Sequence, residues 1–201
     1  MTLRDVGGAL ALRPPVRVDE PVASRAAVAV ILREGEAGME ILFIRRAERA
    51  DDPWSGQVGF PGGRAEPEDS DLSATARRET LEEIGIDLAR DADLLGGLDE
   101  IRAMARGRPV DLAIAPFVFH LRGGGDASSS EEVTSVHWLS LDALLGPAHH
   151  GRFEYRHEEG TVDLPCLRLG DFVIWGLTYR MFGGLRKRLV ALAAGGLHAA
   201  S

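Results

Sequence analysis

Apolar residues run almost unbroken through 26–33, AAVAVILR, and again through 39–45, MEILFIR. Runs this short and β-branched predict strands, and EGEAG between them predicts the turn of a hairpin. Residues 47–56 are polar and carry Pro53 and Gly56, which predicts a loop. QVGF at 57–60 reads as a short strand, stopped by PGG at 61–63. Asp69, Ser70 and Asp71 are good helix caps, so a helix is expected from Leu72 to about Ile84. A strand follows at 94–102, then a turn at 103–109. VDLAIAPFVFHL at 110–121 is apolar enough for a central strand. RGGGDASSS at 122–130 predicts a flexible loop, EVTSVHWLS at 132–140 a strand, and residues 141–145 a short helix. Beyond it lies a polar stretch with His149, His150 and Gly151. Residues 175 to about 194 read as helix, with Gly183 and Gly184 marking a bend or break. Arg186, Lys187 and Arg188 would then favour the end of that helix electrostatically. Residues 1–24 contain Pro14 and Pro15 and read as an irregular arm. Residues 25–201 form one expected domain, without internal repeat or linker. Mixed strands with one early and one late helix predict an α+β fold, an α/β/α sandwich around a mixed sheet.

The early helix carries the densest chemistry. RRETLEEIGI at 77–86 packs three carboxylates into five positions. At roughly 100° per residue, Glu82 falls about 60° to one side of Glu79 and Glu83 about 40° to the other. Three like charges on one face repel, so either solvent dilutes them or a cation cancels them. Leu81 and Ile84 point away from the carboxylates and are expected in the core, and Gly85 stops the helix. A short helix holding an acidic triad above a core suits Mg²⁺ or Mn²⁺, which prefer oxygen ligands. The plainer alternative is a solvated acidic face.

The net charge of −8, from 23 basic and 31 acidic residues, argues against non-specific binding to nucleic acid or a membrane surface. Action on a phosphorylated anion would then require local positive charge or metal. The single cysteine, Cys166, excludes an internal disulfide framework and fits a reducing, cytoplasmic setting. No apolar run approaches a membrane span, and the first residues lack the core of a signal peptide.

GGRAEPEDSDLSATARRETLEEIGI resembles the Nudix box, G-x5-E-x7-R-E-U-x-E-E-x-G-U with U aliphatic. Arg78, Glu79, Glu82, Glu83, Gly85 and Ile86 occupy its second half. Thr80 stands at one aliphatic position. Gly63 to Arg78 is one residue longer than usual, leaving Asp69 and Glu68 as candidates for the first acidic position. That spacing and the segment ILFIRRAERADDPWSGQVGFPGG resemble the coenzyme A pyrophosphatase subgroup, as does IWGLTYRM at 174–181. DDPWSGQ stands where that subgroup has a His-containing loop.

The resemblance implies metal-dependent hydrolysis of a nucleoside diphosphate linked to another group, here coenzyme A or an acyl-coenzyme A. It implies Glu79 and Glu83 as main metal ligands, and Glu82 as a further ligand or the residue that orients or deprotonates water. The Gly63 carbonyl is a further ligand, since glycine lets backbone approach closely. Arg78 is structural, pairing with an acid of the preceding loop such as Asp69. Glu131 and Glu132 are candidate bases outside the box, and one of Arg45 and Arg46 would touch phosphate. Trp54 and Phe60 flank the pocket, although Phe60 is equally a core candidate. His149, His150 and His157 lack metal-ligand spacing. Two other readings remain: the same chemistry on a dinucleotide, ADP-ribose, nucleotide sugar or nucleoside triphosphate, and a nucleotide-sensing module without catalysis. Many relatives dimerise, so the resemblance also implies a homodimer.

Overall fold

The structure, a computed structural model, describes residues 1–199 apart from 51, 53, 106–107, 124–125 and 158–159, and the side chains of 157 and 196–199 are likewise outside it. The expectations that rested on Pro53, on Gly124 and Gly125 and on the side chain of His157 therefore lie outside the described residues. The chain opens with helix α1 (Leu3–Ala11). Strands β1 (Ser24–Gly35) and β2 (Gly38–Arg46) form the expected hairpin, followed by β3 (Val58–Gly59) and β4 (Gly62–Arg64). Helices α2 (Leu72–Ile84) and α3 (Leu88–Asp91) lead into β5 (Ala92–Gly97), β6 (Ile101–Ala105) and β7 (Arg108–Leu121). Then come β8 (Val133–Ser140), α4 (Leu141–Leu145), β9 (His150–His157), β10 (Gly160–Leu169), β11 (Phe172–Ile174) and α5 (Gly176–Ala199).

Eight strands build one mixed sheet along the path β3-β2-β1-β7-β5, with β4 on β1, β6 on β7 and β8 on β2. The β1–β7 pair is parallel, from Ser24 against Leu112 to Leu32 against His120. The unbroken apolar character of β1 has its reason here, because both its faces are covered. Ala26, Val28, Val30 and Leu32 face α1 and α5, while Ala27, Ala29 and Ile31 face Ala76 and Ile84 of α2. This is the expected α/β/α sandwich.

Several stretches depart from the sequence reading. Residues 1–24 are not uniformly irregular. Thr2 and Asp5 form a reciprocal capping box, and Val6, Ala9 and Leu10 of α1 are buried against the α5 layer. PGG does not end the local sheet: Gly62–Arg64 pairs with Val28–Ala26, taking the end of β1 that β2 leaves. The stretch 94–109 holds two strands, β5 and β6, both antiparallel to β7. The polar stretch after α4 forms a separate three-stranded sheet, β11-β10-β9.

Helix α5 passes through Gly183 and Gly184 without a break, held by Met181, Phe182, Leu185 and Leu189 in the core. Arg188 is therefore not a helix-end charge. It is buried and donates to the carbonyls of Leu10 and Arg13 and to Asp99, fastening the N-terminal segment to α5. Among the described residues, no helix is long and apolar enough to cross a membrane.

Candidate active site

Helix α2 is set by its ends. Asp71 caps it through a side-chain bond from the Ala74 amide, and Gly85 closes it at φ 74°, a left-handed conformation that favours glycine. The last turn does not bury what the helical wheel predicts. Ile84 is 0% exposed, but Leu81 is 48% exposed. The side facing the sheet instead takes Ala76, Thr80, Glu83 and Ile84, so a carboxylate occupies the place expected for leucine. Thr80 satisfies its hydroxyl on the Ala76 carbonyl at 2.7 Å and sits in the core without an aliphatic replacement. Ile84→Ala is expected to cost about 3 kcal/mol, and Leu81→Ala less than about 0.5 kcal/mol. Urea midpoints of the two variants check this.

The three glutamates have three different environments. The Glu83 side chain is 4% exposed. Its Oε2 accepts the Gly62 amide at 2.9 Å, and its Oε1 lies 3.7 Å from Nη1 of Arg46. Burial pushes its carboxyl up to about 7, against the opposing pull of the Gly62 N–H and Arg46. Glu79 lies directly against Gly63: a Cβ there would come 2.4 Å from its Oε1. Burial raises its carboxyl as well, while Arg78 pulls the other way. Glu82 is 58% exposed and accepts from Arg78 at 3.2 Å.

Arg78 organises the loop before the helix. Its Nε and Nη2 reach both oxygens of Asp69 at 3.1 Å, and Nη2 also donates to the Arg64 carbonyl at 3.0 Å. Nη1 donates to Glu79 at 2.9 Å. The Arg78 contact, with help from the Glu66 amide and the Thr75 hydroxyl, holds the Asp69 carboxyl far below the usual carboxylate range. Asp69, not Glu68, is therefore the acid that meets Arg78.

A cleft of about 310 Å³ opens on the other side of β4. Its apolar floor comes from Ala26, Val28, Leu112, Ile114 and Met181, and its polar rim includes Arg46, Asp52 and Arg64. Gly62 and Gly63 line the cleft with one side and contact Glu83 and Glu79 with the other. The acidic helix is thus one strand away from the pocket. Of the expected phosphate contacts, Arg46 reaches the cleft, whereas Arg45 lies over the Phe172 ring at 5.5 Å. Phe60 is a core residue that also lines the cleft; it is 4% exposed and stacks on Phe43 at 4.9 Å. Trp54 lines the cleft with its indole N–H fixed to the Met104 carbonyl at 3.1 Å.

Glu132 is half-exposed and paired with Arg49 at 3.1 Å, yet its charge reaches Glu79 and Glu83 and raises both. Glu131 is exposed. Sequence reasoning missed Asp52, which sits in a loop without periodic pattern, and the Gly62 amide, which no side-chain signal marks. Arg78 takes up one oxygen each of Glu79 and Glu82. Among the described residues, no three His, Cys, Asp or Glu side chains converge closely enough to hold an ion in this arrangement. The donor chemistry nevertheless fits a hard divalent cation. The buried Glu83 carboxyl, raised by desolvation and by the neighbouring Glu79 charge, has no cation at hydrogen-bond distance, and Gly63 leaves the backbone open beside Glu79.

A family model, NUDIX domain, matches residues 23–158, from β1 through β9. The chain belongs to the Nudix family. Human mitochondrial coenzyme A diphosphatase NUDT8 is 35% identical over 161 residues, covering 76% of this chain and 64% of that protein. The mouse protein of that name is 31% identical over 162 residues, covering 79% and 73%. The uncharacterized Nudix hydrolase NudL of Yersinia pestis is 48% identical over 153 residues, covering 74% and 72%. The chain spans 36% of an uncharacterized Schizosaccharomyces pombe protein that it matches and 73% of mouse NUDT8. Among solved structures, a MutT/nudix family protein of Enterococcus faecalis superposes with a TM-score of 0.58 at 16% identity, covering 95% of this chain and 70% of that one. A C. elegans Ap4A hydrolase complex gives 0.51 at 19%, covering 86% and 99%. Both show the fold.

Proposed function

We propose that this Nudix chain hydrolyses the diphosphate bond of coenzyme A or an acyl-coenzyme A, using a divalent cation. One observation carries the reading: the buried Glu83 carboxylate is bound to Gly62 and neighbours Arg46, both of which line the cleft. The substrate class is supported by the names of the NUDT8 relatives, by the long Gly63–Arg78 spacing and by the segment before the box.

In this reading Glu79 and Glu83 would hold the cation, Mg²⁺ or Mn²⁺, and the Gly63 carbonyl and Glu82 would complete the oxygen set. The cation would offset the diphosphate's negative charge and acidify a water. The protein's own groups do the rest. Arg46 offers a guanidinium to phosphate oxygens at the cleft rim. Arg78 and Asp69 fix the loop–helix junction so that Glu79 stays against Gly63. Glu132, or Glu82 where it is not a ligand, accepts the proton of the attacking water. The apolar floor takes the uncharged part of the substrate away from solvent. A cytoplasmic location belongs to the same proposal and rests on Cys166 alone, since NUDT8 is named as mitochondrial. Trp54 on the cleft wall favours one second reading, in which a base stacks there and the substrate is ADP-ribose or a dinucleotide.

Incubating the protein with coenzyme A, acetyl-coenzyme A, ADP-ribose, dinucleotides and nucleoside triphosphates, with and without Mg²⁺, tests this. Coenzyme A and its acyl derivative are expected to turn over fastest, and only with the metal. Inert coenzyme A beside rapid ADP-ribose cleavage would transfer the assignment to the second reading.

A further inference from the structure

We propose that Asp52 is a positioning residue: it holds Arg46 open toward an incoming phosphate group and off Glu83. The inference rests on the functional reading above. Arg46 ends β2 beside the acidic helix, with the cleft on one side and Glu83 on the other. Its Nε and Nη2 donate to a single oxygen of Asp52, Oδ2, at 3.1 and 2.8 Å. The other oxygen, Oδ1, accepts the Trp54 amide at 2.9 Å. The Asp52 side chain is only 15% exposed, so both oxygens are committed inside the loop. The loop itself is anchored: the Asp52 amide donates to the Arg49 carbonyl, and the Ser55 amide donates back to the Asp52 carbonyl.

The consequence lies in what Arg46 does not do. Its Nη1 stays 3.7 Å from Glu83 Oε1, beyond hydrogen-bond length. A guanidinium beside a buried carboxylate would ordinarily close on it, because a direct pair offsets the burial of the carboxylate charge. Asp52 competes for that guanidinium and wins it with two bonds. Two functional groups are thereby kept available, an Nη1 edge for phosphate oxygens and a Glu83 carboxylate for a cation. Without the Asp52 charge, Arg46 is left with Glu83 as its anionic neighbour, and the two would neutralise each other. A loop staple would look similar in the free protein, but it would not couple to anion binding.

The test is a double-mutant cycle of Asp52→Asn and Arg46→Gln, read by kcat and KM on the best substrate of the panel, by calorimetric binding of inorganic pyrophosphate, and by melting temperature. Asp52→Asn is expected to lower pyrophosphate affinity and kcat/KM by roughly 10- to 100-fold. In the Arg46→Gln background the same change is expected to have almost no effect on either. Independent, multiplying losses would overturn the proposal. So would unchanged pyrophosphate affinity with only a lower melting temperature, which marks a loop staple, or a wild type that does not bind pyrophosphate. Asp52→Ser, which also removes the charge but keeps an acceptor for the Trp54 amide, is read the same way should the asparagine variant fold poorly. Wild-type turnover across the panel separately decides the functional reading.

Discussion

Glu83→Gln is expected to remove nearly all turnover, by at least about 10²-fold, while making the metal-free protein more stable above pH 7. The rate loss follows from deleting a charged oxygen ligand at the point where the acidic helix meets the cleft. The stability gain follows from burial. The carboxyl sits at about 7 in the fold against 4.5 for a free glutamate, so the folded chain binds this proton more tightly than the unfolded one. Its contribution to stability is present in full below pH 4.5 and disappears as pH rises through about 7. Glutamine cannot ionise and escapes that loss. Each tenfold gain in proton affinity is worth about 1.4 kcal/mol, which sets a ceiling of about 3 kcal/mol on the difference at pH 8. Adding Mg²⁺ should reverse the order, stabilising the wild type and leaving the variant unmoved. Melting curves at pH 5 and pH 8, with and without Mg²⁺, check all of this.

The adjoining glycines are expected to fail in different ways. A Cβ at Gly62 would lie 2.2 Å from the Ala27 carbonyl oxygen and 2.6 Å from Val28 Cα, at a φ of 150° that side chains rarely adopt. Neither obstacle can move without parting β4 from β1. Gly62→Ala should therefore cost at least about 3 kcal/mol and should take the Glu83 hydrogen bond with it. At Gly63 the obstacle is the carboxyl end of Glu79, 2.4–2.6 Å away, which can swing aside. Gly63→Ala should change stability by less than about 1 kcal/mol, yet lower turnover by roughly tenfold or more as Glu79 leaves its place. Chemical denaturation beside steady-state rates separates the two outcomes. Equal stability losses would show that Glu79 is not free to yield.

This contrast also explains how far the sequence could be read. Strands β1, β2, β7 and β8 and helix α2 carry their own side-chain signals, in long apolar runs or caps at both ends, and they were legible. Strand β4 has no such signal. Gly62 and Gly63 form it because a missing Cβ lets two backbones approach, and in isolation that reads as a turn. Helix α1 hid behind Gly7 and Gly8, although its Thr2–Asp5 capping box and the spacing of Val6, Ala9 and Leu10 were present. Strand β9 alternates Arg152, Phe153, Glu154, Tyr155 and Arg156, a strand pattern masked by its charge, with Phe153 stacked on Trp175 and Tyr155 tilted against it. Within the site, the wheel grouped the three glutamates but could not rank them. Their burial depends on β4 and Arg46, which are distant in sequence, and this is also why Leu81 rather than Glu83 was expected in the core.

The most direct measurement is the fate of coenzyme A incubated with the protein and Mg²⁺ in ¹⁸O-labelled water, followed by mass spectrometry. Hydrolysis of the diphosphate breaks one P–O–P bridge and adds one water across it. The products should therefore be phosphopantetheine and adenosine 3′,5′-bisphosphate, with a single ¹⁸O in one of them and none when Glu83→Gln replaces the wild type. Intact coenzyme A, or loss of the 3′-phosphate with the diphosphate unbroken, would contradict the account.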